Sequence, residues 1–271
     1  MPHTTPAPDA ALSSTNAFYR LDGAIAHPSP DTRGPWDPNA QHGGAPTALI
    51  AWTVDRMASA VPMRIARITV DLFRPVPIAP LEVRTAVLRE GRNIQLVEAR
   101  LVADGKECVR AAVLRVRDAA VETPLDVRPP PQRWPAPDDC PRIANFAREG
   151  LAQHLDIRPA DGRMRDRNGS PVWFRLRAPF IEGERNTPLI MAAITADFCN
   201  GMSGVLDWEQ WTFINADLTI HFARDPIGEW MMLEAHGWVG ADGRGTAFGV
   251  LSDVDGTFGR AAQSLVIAPR R

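Results

Sequence analysis

The sequence is poor in the residues that build disulfide frameworks, metal sites and basic surfaces. Only three of its 271 residues are cysteines, Cys108, Cys140 and Cys199, and they form no C-x-x-C pair and no cluster with histidine. We therefore predict neither a disulfide framework nor a bound metal ion. Lysine occurs once, at Lys106, and the formal net charge is −2. This balance provides no basic field for nucleic acid or for an anionic membrane surface.

Long apolar runs and a secretory leader pattern are missing as well. The longest apolar runs are far shorter than the ~20 residues of a membrane-spanning helix. The N-terminus lacks the basic-then-apolar order of a signal peptide. These features predict a soluble, cytoplasmic protein without a membrane partner. A G-x-S-x-G sequence is also absent, which argues against the serine nucleophile of the α/β-hydrolases.

The first half of the chain contains one apolar helix followed by strands. Residues 1–17 are rich in Pro, Ala and Ser and are predicted to be loose, and residues 34–44 form a turn-rich loop. The pattern is helical over residues 45–60, with Pro46 in the first turn and an almost wholly apolar middle, which predicts a buried helix. Alternating segments between residues 65 and 117 predict an antiparallel meander.

The second half repeats the first. Residues 218–224 correspond to residues 68–74 at a shift of 150 (218 − 68), and residues 260–263 correspond to residues 110–113 at the same shift (260 − 110). An apolar, helix-like stretch at residues 189–198 precedes these strands, as the first helix precedes its own. Matches in the same order at one period predict a duplicated unit.

Each unit, a long apolar helix wrapped by an antiparallel sheet, corresponds to a hotdog module. We predict an α+β double hotdog with two antiparallel sheets, whose edges pair and thereby hide strands that would invite aggregation. The predicted modules are residues 18–118 and 171–271. Residues 119–170 are predicted to be a Pro-rich linker, with a short helix near residues 144–154.

Several short motifs together resemble one family. They are Gln41-His-Gly-Gly44, Phe73-Arg-Pro-Val-Pro77, Met191-Ala-Ala-Ile-Thr-Ala-Asp-Phe198, Asn215-Ala-Asp-Leu-Thr-Ile-His-Phe-Ala-Arg224, and the final hairpin at residues 255–263. In this order and spacing the chain resembles the acyl-CoA thioesterase II (TesB-like) family, and the resemblance covers roughly residues 18–118 and 172–268.

The resemblance implies a reaction and a set of residues. The family hydrolyses acyl-CoA thioesters to free acid and CoA, without a cofactor, through a water held by an Asp, a Thr or Ser, and a Gln. The Asp falls on Asp197 and the Gln on Gln263. The Thr position falls on Asn215, which has no hydroxyl and departs from the pattern. The expected partner is an acyl-CoA substrate. The oligomeric state stays open, with a dimer of double hotdogs as one candidate.

The chemistry of these side chains is suited to thioester hydrolysis, independently of the family resemblance. A carboxylate at a helix end can accept the proton of an attacking water, and a glutamine amide can orient that water because it both donates and accepts. Asn215 could orient the water in the same way, or bind the carbonyl oxygen. Gln263 corresponds to Val113 in the first half, which favours one working site per chain.

A histidine and two glycines precede the first helix. His42, Gly43 and Gly44 are predicted to bind the substrate, because glycine lets the backbone approach a ligand closely. Each has a plainer interpretation, since loop histidines are common and close packing also favours glycine. Asp197 and Gln263 likewise have plainer interpretations, as a helix-end residue and a satisfied polar group in a strand.

Two other functions stay open at this level. A non-catalytic acyl-CoA-binding hotdog protein would explain the Asn at the Thr position. A hotdog enoyl-CoA hydratase or dehydratase would need an Asp/His pair, and Asp37 and His42 are close in sequence. Release of free CoA from acyl-CoA substrates distinguishes the thioesterase from both.

Overall fold

A computed structural model describes residues 17–167 and 169–270. The predicted loose segment, residues 1–17, lies outside the described residues except for Ala17. The first half consists of two short strands, one helix and four longer antiparallel strands. The last three of these four form a meander as predicted, whereas the first pairs with the last and not with the second. These elements are β1 (Tyr19–Asp22), β2 (Ile25–Pro28), α1 (Gly44–Asp55), β3 (Met63–Leu72), β4 (Leu81–Glu90), β5 (Ile94–Ala103) and β6 (Lys106–Arg117).

The second half contains the remaining strands and two helices. They are β7 (Leu155–Pro159), β8 (Pro171–Leu176), α2 (Pro188–Ala196), α3 (Cys199–Met202), β9 (Trp211–Asn215), β10 (Asp217–Phe222), β11 (Met231–Val239), β12 (Arg244–Asp253) and β13 (Gly256–Pro269). Short 3-10 helices occur at Pro30–Thr32, Leu125–Val127, Pro137–Asp139 and Leu151–His154. None of the helices in the described ranges is long and apolar enough to cross a membrane.

Both principal helices are buried but shorter than expected. The first helix ends at Asp55 rather than at residue 60, and the chain turns over the following seven residues to begin β3 at Met63. The second has nine residues and begins with Pro188 in its first turn. The Thr187 hydroxyl caps it by accepting the Ile190 N–H at 3.3 Å. The long helices expected from the sequence are therefore replaced by shorter ones.

The strands form one antiparallel sheet, in the order β1-β2-β4-β5-β6-β3-β10-β13-β12-β11-β8-β7, with β9 pairing to the end of β13. The two predicted sheets are thus halves of a single sheet, joined where β3 pairs with β10. At this junction Thr69 lies opposite Thr219, and the two hydroxyls are 3.4 Å apart. Because these residues are related by the 150-residue shift (219 − 69), a pseudo-two-fold axis passes between them.

The helices pack against each other on the inner face of the sheet. Their contact is close at the start of α1, where a Cβ added to Gly44 would lie 3.2 Å from the Ile194 carbonyl oxygen of α2. Within β13, residues alternate between buried and exposed from Arg260 to Ala268, which separates the helix-covered face from the outer face. The N-terminus of α1 therefore lies beside the C-terminus of α2.

The segment predicted as a linker contributes to the sheet. Its last part, β7, pairs with β8, and the predicted helix near residues 144–154 is reduced to the 3-10 turn at Leu151–His154. The Leu151 N–H donates to the Arg33 carbonyl at 3.1 Å. This contact holds the segment against the loop that leads to α1.

Candidate active site

Three polar side chains meet in the interior of the second half. Asp197 follows the last residue of α2, Asn215 ends β9, and Gln263 lies in β13. All three are buried, and Gln263 is only 2% exposed. A buried carboxylate and two buried amides require hydrogen-bond partners. The contacts between them provide those partners.

Both amides donate to the same carboxylate oxygen. Asn215 Nδ2 lies 2.9 Å from Asp197 Oδ1, and Gln263 Nε2 lies 3.1 Å from it. Gln263 Nε2 is also 3.2 Å from the Asp197 backbone oxygen, and its Oε1 accepts the Asn200 backbone N–H at 3.0 Å. Gln263 thus contacts Asp197 through its amide nitrogen and the Asn200 N–H through its amide oxygen, and its predicted contact with a water stays a prediction.

The second carboxylate oxygen faces a histidine from the other half of the chain. His42 Nδ1 lies 2.9 Å from Asp197 Oδ2, and the imidazole ring stacks on Phe198 with centroids 4.6 Å apart. The same nitrogen lies 3.1 Å from the Gly44 N–H. An imidazole nitrogen donates only with a proton and accepts only without one. The two contacts of Nδ1 are therefore alternatives, and the proton on Nδ1 decides between them.

The loop before α1 closes over the carboxylate. A Cβ added to Gly43 would lie 2.9 Å from Asp197 Oδ2 and 3.0 Å from Oδ1, so a side chain at this position requires the carboxylate to move. Gly43 has φ −56° and ψ −26°, which every residue type adopts easily. Space beside the carboxylate, and not backbone conformation, accounts for the glycine.

The structure thus brings together all six residues that the sequence singled out. Sequence reasoning missed Asn200, whose backbone N–H holds the Gln263 oxygen, because a backbone donor leaves no signal in the residue type. It also missed the pairing of His42 with Asp197. The Asp37 carboxylate is instead engaged in its own turn, where it accepts the Asn39 N–H at 2.8 Å.

Within the described residues, the first half has no matching set of polar side chains. The positions 150 residues before Asn215 and Gln263 are Ile65 and Val113, and both are buried and apolar. At the opposite ends of the two helices, Trp52 Nε1 donates to Glu184 at 2.9 Å, and the Arg56 guanidinium pairs with the same carboxylate at 2.6 Å. The pseudo-symmetric position is filled by these side chains.

Two family models match the chain over most of its length. The acyl-CoA thioesterase N-terminal domain matches residues 32–116, and the acyl-CoA thioesterase C-terminal domain matches residues 130–267. The chain belongs to the acyl-CoA thioesterase family. The two domains are those of the predicted family, and the C-terminal match begins inside the segment predicted as a linker. No curated protein sequence matches this thioesterase-family chain.

Solved structures share the fold at low sequence identity. A proposed thioesterase II from Thermobifida fusca superposes with a TM-score of 0.74 at 17% identity, covering 97% of this chain and 99% of its own. A hot dog fold protein from Alicyclobacillus acidocaldarius gives 0.71 at 16%, covering 97% and 100%. An acyl-CoA thioesterase II from Mycobacterium marinum gives 0.65 at 16%, covering 93% and 94%. The hotdog fold of this family member follows from these matches.

Proposed function

We propose that the protein hydrolyses acyl-CoA thioesters to the free acid and CoA, with Asp197 as the general base. The observation that supports this proposal is the convergence of His42, Asp197, Asn215 and Gln263 from four separate elements. Burying a carboxylate costs free energy, and packing of the core alone does not require a charged group at this position. The cluster both buries the carboxylate and orients it. A carboxylate held in this way is suited to proton transfer.

The two oxygens of Asp197 have different tasks in this proposal. The N–H groups of Asn215 and Gln263 hold Oδ1 and stabilise its negative charge, which fixes the direction of Oδ2. The water attacks the thioester carbonyl carbon while Oδ2 accepts its proton. The Gly44 N–H at the start of α1 is proposed to stabilise the oxyanion, because its partner in the structure is the His42 ring nitrogen and not a backbone carbonyl. The C–S bond then breaks, and the proton held by Asp197 Oδ2 passes to the leaving CoA thiolate.

His42 is proposed to position the carboxylate. With a proton on Nδ1 it donates to Oδ2 and leaves the Gly44 N–H available to the substrate oxygen. Its ring is held by the stacking contact with Phe198, so its distance to Asp197 is set by packing. Gly43 and Gly44 are proposed to border the thioester, in agreement with the small space beside the carboxylate.

Release of CoA tests this function. The purified protein is incubated with saturated acyl-CoAs from two to sixteen carbons, and free thiol is followed with a chromogenic disulfide. The three cysteines of the chain are all buried, so the protein itself contributes little signal. We expect CoA and free acid in equal amounts. Binding without release would favour the acyl-CoA-binding function, and water addition to an enoyl-CoA would favour the hydratase.

Two substitutions at Asn215 test whether an amide replaces the family hydroxyl. In Asn215→Thr the hydroxyl can donate to Asp197 Oδ1, and we expect kcat within about fivefold of the parent. In Asn215→Val the shape of Thr is kept but the donor is lost. A hydrogen bond to a charged group is worth roughly 1.5–3 kcal/mol, so we expect kcat to fall by about tenfold or more. Equal kcat values for the two variants would remove the donor from the mechanism.

A further inference from the structure

A polar cavity of about 170 Å³ lies beside the segment that leads into β7. Its walls come from residues 142–147, from residues 152–155 and from Arg177, which directly follows β8. The volume is about five times the ~30 Å³ that one water molecule occupies in the liquid, so the cavity has room for a small anion. Its lining residues are separate from the Asp197 cluster and from His42.

Positive charge at the first side of the cavity exceeds negative charge. Arg142, which lines the cavity, has its Nε 3.4 Å from Asp156 Oδ1. The same carboxylate also pairs with Arg158 at 3.4 Å and with Arg175 at 3.2 Å. One negative charge thus faces three guanidinium groups, and the charge of Arg142 is only partly offset.

Arg177 contributes a second guanidinium from the other side of the cavity. Its Nη2 donates to the Gln153 backbone carbonyl at 2.6 Å, and its backbone N–H donates to the His154 carbonyl at 2.9 Å. Among residues 17–167 and 169–270, no carboxylate forms an ion pair with it. A guanidinium has five N–H donors in a fixed fork, so donors of Arg177 remain for an anion in the cavity.

The walls of the cavity are held by contacts with neighbouring elements. Gln153 Nε2 donates to Asp31 Oδ1 at 3.1 Å, which ties one wall to the segment that leads to α1. The Ile143 N–H donates to the Ile157 carbonyl of β7 at 2.9 Å, which ties the opposite wall to the sheet. The cavity is therefore preformed, and little ordering of its walls is needed when a ligand binds.

We propose that this cavity binds the phosphate group of a small phosphate ester. A phosphate ester carries a charge of about −1.5 to −2 and three acceptor oxygens at neutral pH. Two guanidinium groups on one cavity match that charge and number of acceptors, because each can donate two parallel N–H groups to phosphate oxygens. The ester is either a free molecule or CoA itself, and the chemistry that recognises it is the same. Binding of phosphate here does not depend on the proposed hydrolysis.

Calorimetric titration of the full chain with inorganic phosphate, at constant ionic strength, tests the site. Arg177→Met keeps an apolar stem but removes the donors. Loss of a hydrogen bond to a charged group corresponds to about tenfold or more in affinity, so we expect the Kd for phosphate to rise by at least about tenfold. Arg148→Met is the matched control, because Arg148 is exposed on the same segment and does not line the cavity. This control removes the same charge and should change the Kd by less than about twofold.

A second variant tests the cavity without changing its charge. Ala147 lines the cavity, and in Ala147→Phe the larger side chain fills it, so phosphate binding should be lost even though both arginines remain. This variant replaces Arg177→Met if the latter does not fold. A parent protein that does not bind phosphate, or equal losses in the Arg177 and Arg148 variants, would overturn the inference.

Titration of CoA with and without saturating phosphate identifies the source of the phosphate group. If the site holds a phosphate of CoA, inorganic phosphate raises the Kd of CoA, and Arg177→Met removes this competition. If CoA and phosphate bind independently, the site takes a free phosphate ester. Either result supports the phosphate site. Because neither titration requires hydrolysis, failure of this inference and failure of the proposed function are measured separately.

Discussion

Replacing Asp197 by Asn is expected to lower kcat for acyl-CoA hydrolysis by roughly a hundredfold or more, which is the scale of a general base. The substitution is nearly isosteric, and the new amide oxygen can still accept the N–H groups of Asn215 and Gln263. The new amide nitrogen can donate to His42 Nδ1 in its unprotonated form. The free energy of unfolding should therefore change little, while the group that accepts the water proton is lost.

The measurement is steady-state hydrolysis of a medium-chain acyl-CoA together with thermal unfolding of both proteins. Asp71→Asn is the control, because the Asp71 side chain is exposed on β3 and is not among those that contact Asp197. We expect its kcat to equal that of the parent. A folded Asp197→Asn protein with unchanged kcat would exclude Asp197 as the base and leave the acyl-CoA-binding function as the better proposal.

Replacing Gly43 by Ala is expected to lower kcat by a comparable factor through geometry alone. The added Cβ would lie 2.9 Å from Asp197 Oδ2, closer than a carbon and an oxygen normally approach, so the loop or the carboxylate must shift. Displacement of a reacting group by ~1 Å can cost about a hundredfold in rate. The backbone at Gly43 is helical, and alanine therefore introduces no strain in its own conformation.

Gly201→Ala is the steric control for this variant, since a Cβ at Gly201 would meet no atom within 4 Å. We expect the control to keep the kcat of the parent protein. The variants are compared by kcat and KM for one acyl-CoA and by their melting temperatures. A Gly43→Ala protein with the kcat of the parent would show that the carboxylate tolerates the shift, and that Gly43 serves packing instead.

The duplicated fold explains why one chain has one candidate site. Pseudo-symmetry places the start of each helix beside the end of the other, and only one of these two junctions combines a carboxylate with two amides. At the other junction Arg56 and Glu184 form a salt bridge, and Val113 and Ile65 stand where the amides would be. A buried polar side chain without partners costs about 1–3 kcal/mol. A second, unused set would therefore destabilise the protein.

The local elements of the fold were largely accessible from the sequence. Alternating apolar residues predicted β3 to β6, and the 150-residue repeat predicted a second set of strands, because side-chain periodicity is a local property of the chain. The helix ends and the role of β7 were not accessible in the same way. The first helix ends where the chain turns towards β3, and β7 depends on its pairing with β8, which is a long-range contact.

The candidate site was also only partly predictable from the sequence. The sequence by itself determined which residue types were present, and through family resemblance it directed attention to Asp197, Asn215 and Gln263. Only the tertiary structure decided that His42, which is 155 residues before Asp197 (197 − 42), faces that carboxylate, and that the Gln263 amide donates to Asp197. These contacts arise because the pairing of β3 with β10 brings the two helices together around one axis. No local pattern of residues specifies that arrangement.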